Sequence, residues 1–373
     1  MSMKVAADVE TEMAAIVLRD HDYGCCGPST GELDEAVERL QQIQKSVSNL
    51  ALTGPLCERW CMSEDDFRYF TRFPSKEIFF HFWASVEPSA SMNVYWSKAK
   101  RAGCLPEVVE QELTCPHELP LIDEFFMFCL YLSVGLKEQI LSGMFRIHYS
   151  RVIQIIVTWS NYLYLVLGSV QIWMTRAQVR QMMPLKKQQL SLCTRVIIDC
   201  SELRCEIGEL KMSADTLSCE MNCTTFKALV GVAPCGLISF VSELFPDAIS
   251  NDDMTRRSGI LNLLEPGDEV IAGKDFCSED LFKNVGARLV RFPLSSEDEC
   301  NWTQGRAQDV ARFYALVRCV IRRIKEYQLL NLTIPHTLAG SVNQIWTCCC
   351  LMANYHVRFD PNGEETSTFP ICY

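Results

Sequence analysis

The chain has 373 residues, 48 % hydrophobic and 22 % charged, an ordinary globular composition with length for two domains or one large one and enough apolar residues to bury a real core. A formal net charge of −11 excludes attachment to nucleic acid by bulk electrostatics, because phosphate binding rests on clustered Lys and Arg; any such contact must be local. The 20 cysteines argue for a reducing compartment and against a secreted disulfide framework, since no signal-peptide pattern precedes them and Cys25-Cys26 and Cys348-Cys349-Cys350 are odd settings for bridges.

Residues 1 to about 33 lack periodicity and are punctuated by Gly24, Gly27, Pro28 and Gly31, which predicts a loose N-terminal arm. From Glu32 to Val47, Leu33, Val37, Leu40 and Ile43 fall at helical spacing, with acids early and a lysine late as the helix dipole prefers; a solvated or partner-facing helix is expected. Between 64 and 86, aromatics recur on a helical period broken at Pro74, where Ser75 can cap a new helix, and core packing explains them. A charge-rich connection, Lys98 to Glu112, follows and ends near Pro116.

Residues 119 to 167 read as helices: "LPLIDEFFMFCLYLSV" stops at Gly135, "LKEQILSGMF" follows, and after Arg146-Ile147-His148 comes "YSRVIQIIVTWSNYLYLVL". That layout is one of a helix-turn-helix, whose last helix can enter the major groove. Val152 to Met174 carries no formal charge for 23 residues, long enough to span a bilayer, but Gln154, Ser160, Asn161, Ser169 and Gln171 argue for a core helix and no membrane contact.

From 195 the texture changes. "RVIID" predicts a strand ending on the carboxylate Asp199, and "TFKALVGVAP" and "GLISFVSEL" a hairpin through Pro234-Cys235-Gly236. A helix (Asp253 to Leu264), the strand "DEVIA", a helix near Glu279 to Asn284, the strand "ARLVRF", a long helix from about Gln304 to Gln328 and a last one from about Ala339 to Tyr355 complete a mixed sheet flanked by helices. The expected organisation is an arm with an acidic helix (1–63), a helical region containing the helix-turn-helix (64–190), an α/β domain (191–358) and a tail (359–373). The Cys-x3-Cys pairs Cys57/Cys61 and Cys219/Cys223 have no convincing second pair and do not predict structural zinc.

"RVIIDCSELRCEI", "TFKALVGVAPCGLISFVSELFPDAIS", "RRSGILNLLEPGDEVIAGKDF", "RRIKEYQLL" and "LAGSVNQIWTCCCLMAN" together resemble the endonuclease domain of Harbinger-like transposases of the DDE superfamily; "LPLIDEFFMFCLYLSVGL" through "IWMTRAQVRQMMP" resembles the helix-turn-helix preceding it. The resemblance covers about residues 64 to 358. It implies a ribonuclease-H-like α/β fold and three carboxylates holding two divalent ions, Mg²⁺ or Mn²⁺, for phosphodiester cleavage.

Asp199 matches the first acid of that family. The second stands in an Ala-Asp-Lys-Gly-Phe string, for which this chain has Ala272-Gly273-Lys274-Asp275-Phe276, so the acid has become Gly273. Asp275 is the candidate substitute; on an extended backbone it keeps the same face, displaced by roughly 6 to 7 Å. The third acid, seven residues before the lysine of the Arg-Ile-Lys run, falls on Arg318, a cation that cannot ligate metal and that near Asp199 would compete for its carboxylate. Asp309 and Glu326 are roughly 12 to 14 Å away along the helix and cannot replace it. Glu202, three residues from Asp199, points to the other strand face and is at most an outer metal group. For DNA, Tyr149, Ser150, Arg151 and Gln154 at the third helix start are competent for phosphate or base contacts, with an ordinary solvated helix end as the bland alternative.

The leading expectation is a transposase-derived, DNA-associated protein with a dismantled nuclease site. An active endonuclease using Asp199, Asp275 and Glu202 requires carboxylates converging within roughly 4 to 5 Å of one point. A protein-binding scaffold is the third reading, since the resemblance implies a Myb-like companion protein. It also implies the nucleus, with cytoplasmic residence left open because Lys186-Lys187 is too short for an import signal.

Overall fold

The computed structural model describes residues 54–90, 117–182, 194–206, 223–276, 278–292 and 304–356, together with Glu38. The predicted N-terminal arm, most of the Glu32–Val47 helix, the Lys98–Glu112 connection and the tail 359–373 lie outside the described residues. The chain divides into Met1–Gly54, in which Glu38 is helical and exposed, and Pro55–Tyr373.

The second unit opens with short helices built on local signals. In α1 (Leu56–Trp60) the first N–H, that of Leu56, is taken by the Asp123 carboxylate at 2.7 Å. Helix α2 (Glu64–Thr71) begins in a capping box: Ser63 Oγ accepts from Asp66 N at 3.1 Å and Asp66 Oδ2 accepts from Ser63 N at 3.0 Å, so two orphan donors are satisfied reciprocally. After the break at Pro74, Ser75 Oγ accepts from Ile78 N and α3 (Lys76–Ala90) follows, as the sequence predicts. The aromatics of this stretch are core: Phe67, Phe73, Phe79, Phe82 and Trp83 are buried around Phe125 of α4 (Leu121–Val134).

Helix α4 ends at Gly135, whose φ of +69° is left-handed and whose Cα faces Leu332 so closely that a Cβ would lie 2.7 Å from its Cδ1. Helices α5 (Glu138–Phe145) and α6 (Tyr149–Gly168) follow, joined through Arg146, which holds the left-handed conformation with φ +55°. A side chain there costs roughly 1–2 kcal/mol, part of which glycine returns as unfolded-chain entropy. Arg146→Gly is therefore expected to stabilise the protein by about 0.5–1 kcal/mol in urea denaturation. The uncharged stretch Val152–Met174 is a core helix only as far as Gly168: α6 buries Val152, Ile155, Ile156, Trp159 and Leu163, and Trp159 Nε1 donates to the buried Glu124 carboxylate at 3.3 Å, while Ser169–Met174 lie outside the helix. No helix among the described residues is long and apolar enough to cross a membrane.

After α7 (Arg176–Met182) the chain enters a seven-stranded mixed sheet: β1 (Thr194–Glu206), β2 (Cys223–Val232), β3 (Ile238–Val241), β4 (Phe245–Pro246), β5 (Glu269–Gly273), β6 (Arg288–Phe292) and β7 (Thr333–Ile334). Its order is β3-β2-β1-β5-β6, with β4 beside β2 and β7 beside β1; β1, β5 and β6 are parallel and β1-β2-β3 antiparallel. Helices α8 (Asn251–Arg257) and α9 (Glu279–Lys283) place Met254 and Phe282 on one sheet face. On the other, α10 (Gln304–Ile324) and α11 (Val342–Met352) bury Val317, Val320, Ile345 and Trp346. That second core continues without a break into the helical region, from Cys57 to Ala353. The edge strand β3 is covered by a side chain: Asn354 accepts from Ile238 N at 2.8 Å and donates to Ile238 O at 3.0 Å, the bonds a neighbouring strand would make.

Among the described residues the cysteines are free thiols. Burial pushes Cys57 up to about 12 and Cys61 up to about 11, so this Cys-x3-Cys pair holds neutral thiols. Cys219 lies outside the described residues.

Candidate functional site

The expected strand end at Asp199 needs correction. Strand β1 continues to Glu206, and Asp199 sits inside it where its surroundings change. Thr194 to Asp199 are all buried, as suits a central strand covered on both faces; from Cys200 onward burial alternates. The cause is the neighbour: β5 pairs with β1 only as far as Ile198↔Ala272, so Asp199 is the first residue beyond the parallel pairing, in the crevice outside the carboxyl ends of the strands.

Into that crevice α10 projects Arg318. Its Nη1 donates to Asp199 Oδ2 at 3.3 Å, although the two are 119 residues apart; the Arg318 side chain is 62 % exposed and that of Asp199 11 %. Asp199 Oδ1 accepts from Cys200 N at 2.9 Å. Burial pushes the Asp199 carboxyl above its ordinary value, against the pull of Cys200 N–H and Arg318, and the Asp275 charge adds to the rise. The sign follows: a carboxyl raised in the folded state is costly when ionised, and that cost is present above the folded value and gone below the unfolded one near ~3.9. Asp199→Asn is therefore expected to be tolerated and to stabilise the fold at pH 7 by up to about 1 kcal/mol, a gain that disappears as urea curves are taken down through the carboxylate range.

The structure does not gather the other predicted acids into a set of ligands around Asp199, although the Asp275 charge reaches its carboxyl. Asp275 does not continue an extended strand: β5 ends at Gly273, Lys274 and Asp275 form a turn closed by Phe276 N to Gly273 O at 3.2 Å, and Asp275 is exposed. The expected same-face displacement therefore fails because the backbone reverses. Glu202 is exposed on the opposite face of β1, as alternation requires, and what the structure uses is its main chain, whose carbonyl accepts from Lys325 Nζ. Among the described residues no three His, Cys, Asp or Glu side chains cluster in a way that could hold a metal ion.

Sequence reasoning missed Tyr314. One turn before Arg318 on α10, it shares that residue's face, a spacing that was available to find it. An ideal Cβ on Gly273 would lie 2.8 Å from the Tyr314 hydroxyl, so the phenol stands over Gly273. Burial, then the Asp199 charge, raise the Tyr314 pKa, so it is a neutral phenol. Asn251 was also missed: its amide donates to Asp275 O at 3.2 Å, and its Oδ1 accepts from Cys200 Sγ at 3.6 Å.

The residues present do not fit two divalent cations. Two dications need several oxygen donors, whereas Asp199 is paired with a guanidinium, Gly273 brings no side chain and lies under a phenol, and Arg318 is itself a cation. The arrangement is an ion pair with an aromatic lid.

The helical candidates lie at the start of α6. Ser150 is exposed, and Tyr149, Arg151 and Gln154 are half-buried. Arg151 donates through Nε to Glu118 at 3.0 Å and through Nη1 to Gln154 Oε1 at 2.9 Å, so both side chains of that pair already have protein partners. His148 Nδ1 caps the helix by accepting from Ser150 N at 3.2 Å.

No curated protein matches the chain. Among solved structures, a chain of the crystal structure of a pre-cleavage Mos1 transpososome aligns over 66 % of this chain and 81 % of its own length, at 10 % identity and a TM-score of 0.19; a superposition that poor says nothing of the fold. The stretch that begins one residue before Asp199 and runs through Gly273 and Arg318 to Asn354, residues 198–354, matches the model of the DDE superfamily endonuclease family, and to that family this part of the chain is similar.

Proposed function

We propose that this is a transposase-derived protein of the Harbinger-like kind, with a ribonuclease-H-like sheet and a helix-turn-helix formed by α4, α5 and α6, that associates with DNA and has lost its metal-dependent nuclease. One observation carries the loss of activity: the Arg318 guanidinium rests on Asp199, where a cation and a third carboxylate would have to be. Three acids would bring a charge of about −3 to two dications; Asp199, Gly273 and Arg318 sum to about zero. An active site rebuilt on Asp275 and Glu202 has against it the turn at 274–275 and the opposite face of Glu202.

DNA contact is assigned to the first turn of α6, with Arg151 exchanging Glu118 for a phosphate. The nucleus is the proposed compartment and a Myb-like protein the proposed companion. A scaffold role has one observation in its favour: Ile140 and Met144, one turn apart on α5, are exposed apolar side chains.

Nicking of supercoiled plasmid in Mg²⁺ and in Mn²⁺ tests the reading, with Asp199→Ala alongside. The expected result is no metal-dependent cleavage by either protein. Cleavage that disappears in Asp199→Ala would show a working site and refute the proposal. DNA binding is measured separately by fluorescence anisotropy: Arg151→Ala should weaken it across sequences and lower the salt slope by about 1.

A further inference from the structure

We infer that Tyr314 is a positioning residue that closes the cation seat of this face, so that restoring the two missing carboxylates would not by itself restore metal binding. The inference rests on the reading that the nuclease site is dismantled, and it adds what now keeps the site shut.

Packing on two adjacent strands sets the place of the phenol. Its ring tilts against Phe292 with centroids 5.0 Å apart, and Phe292 is the β6 partner of Gly273, so the ring leans on one strand while its hydroxyl end covers the next. Arg318 lies one turn along α10 on the same helix face, and burial together with the Asp199 charge keeps the phenol neutral. The hydroxyl then stands 2.8 Å from where a Cβ at position 273 would be, closer than real Cβ atoms come to a neighbour, while Cε2 and Cζ at 3.5 Å are in ordinary contact. An aspartate at 273 would bring its Cβ against the phenol oxygen, so the ring must move before that residue fits. Metal–oxygen bonds of about 2.0–2.1 Å leave no room for a displaced carboxylate to serve. A glycine at 273 and a tyrosine at 314 are therefore complementary: each is comfortable because of the other.

The test is Mn²⁺ binding by the full chain, read as loss of the free-ion electron paramagnetic resonance signal, with circular dichroism to show that each protein is folded. The unaltered chain, the double variant Gly273→Asp/Arg318→Glu and the triple variant that adds Tyr314→Ala are compared. The triple variant is expected to bind at least tenfold more tightly than the double. Equal affinity in the two, or no binding by a folded triple variant, overturns the role of Tyr314. Metal binding by the unaltered chain overturns instead the reading beneath it. A second measurement covers the case in which the charged variants do not fold: Gly273→Ala should lower the urea midpoint clearly in the unaltered background and much less in a Tyr314→Ala background. Equal losses in both backgrounds would also refute the inference.

Discussion

Phe125→Ala is expected to destabilise the protein by about 3–5 kcal/mol, a large part of the roughly 5–15 kcal/mol that holds a domain together. Phe125 is fully buried, and ring centroids of Phe79, Phe82, Trp83 and Trp159 stand 5.3, 5.6, 5.6 and 5.2 Å from its own. Truncation removes the apolar surface of the ring and leaves a cavity that these stiff neighbours cannot collapse into. The damage should not stay local. Tyr355, beyond α11, packs on Phe82 at 5.0 Å and on Phe73 at 6.2 Å, tying the helical core to the far end of the described chain. Guanidinium unfolding of Phe125→Ala followed by tryptophan fluorescence and by circular dichroism should give one coincident transition, shifted down. Two separated transitions would mean that the helical region and the sheet unfold independently, against the continuity of their shared core.

The second large effect is at the site. Arg318→Glu replaces an attraction to Asp199 by a repulsion, and with the Arg318 side chain 62 % exposed the change is screened to about 2 kcal/mol of lost stability at pH 7. The pH dependence has a definite sign. A second carboxylate beside Asp199 raises further a group that burial already raises, so the folded state binds protons more readily than the unfolded one, and the loss is greatest at neutral pH and relieved as pH falls through the carboxylate range. Urea midpoints at pH 7 and pH 5 check it. Millimolar Mg²⁺ is expected not to restore the midpoint; full rescue by Mg²⁺ would mean that one altered residue is enough to make a metal site.

Sequence alone determined the parts of this protein that depend on neighbours close along the chain. The helices of 64–86 and 119–167 were legible because 3.6-residue spacing, Pro74, Gly135 and the Ser75 cap are local signals. Strand alternation put Glu202 on the face away from Asp199, and the resemblance singled out positions 273 and 318 beside it. Boundaries were less legible: β1 was expected to stop at Asp199 and runs on to Glu206, because its extension is held by pairing with β2 and β7, whose partners lie far off in sequence. The tertiary structure decided the character of the site. That Arg318 reaches Asp199, that the backbone turns at Lys274-Asp275 instead of carrying Asp275 along the strand, and that Tyr314 occupies the space over Gly273 all depend on how α10 lies across β1, β5 and β6. A pattern of residue types records which face a side chain points to; which other side chain fills the volume opposite is set only when elements far apart in the chain are packed together.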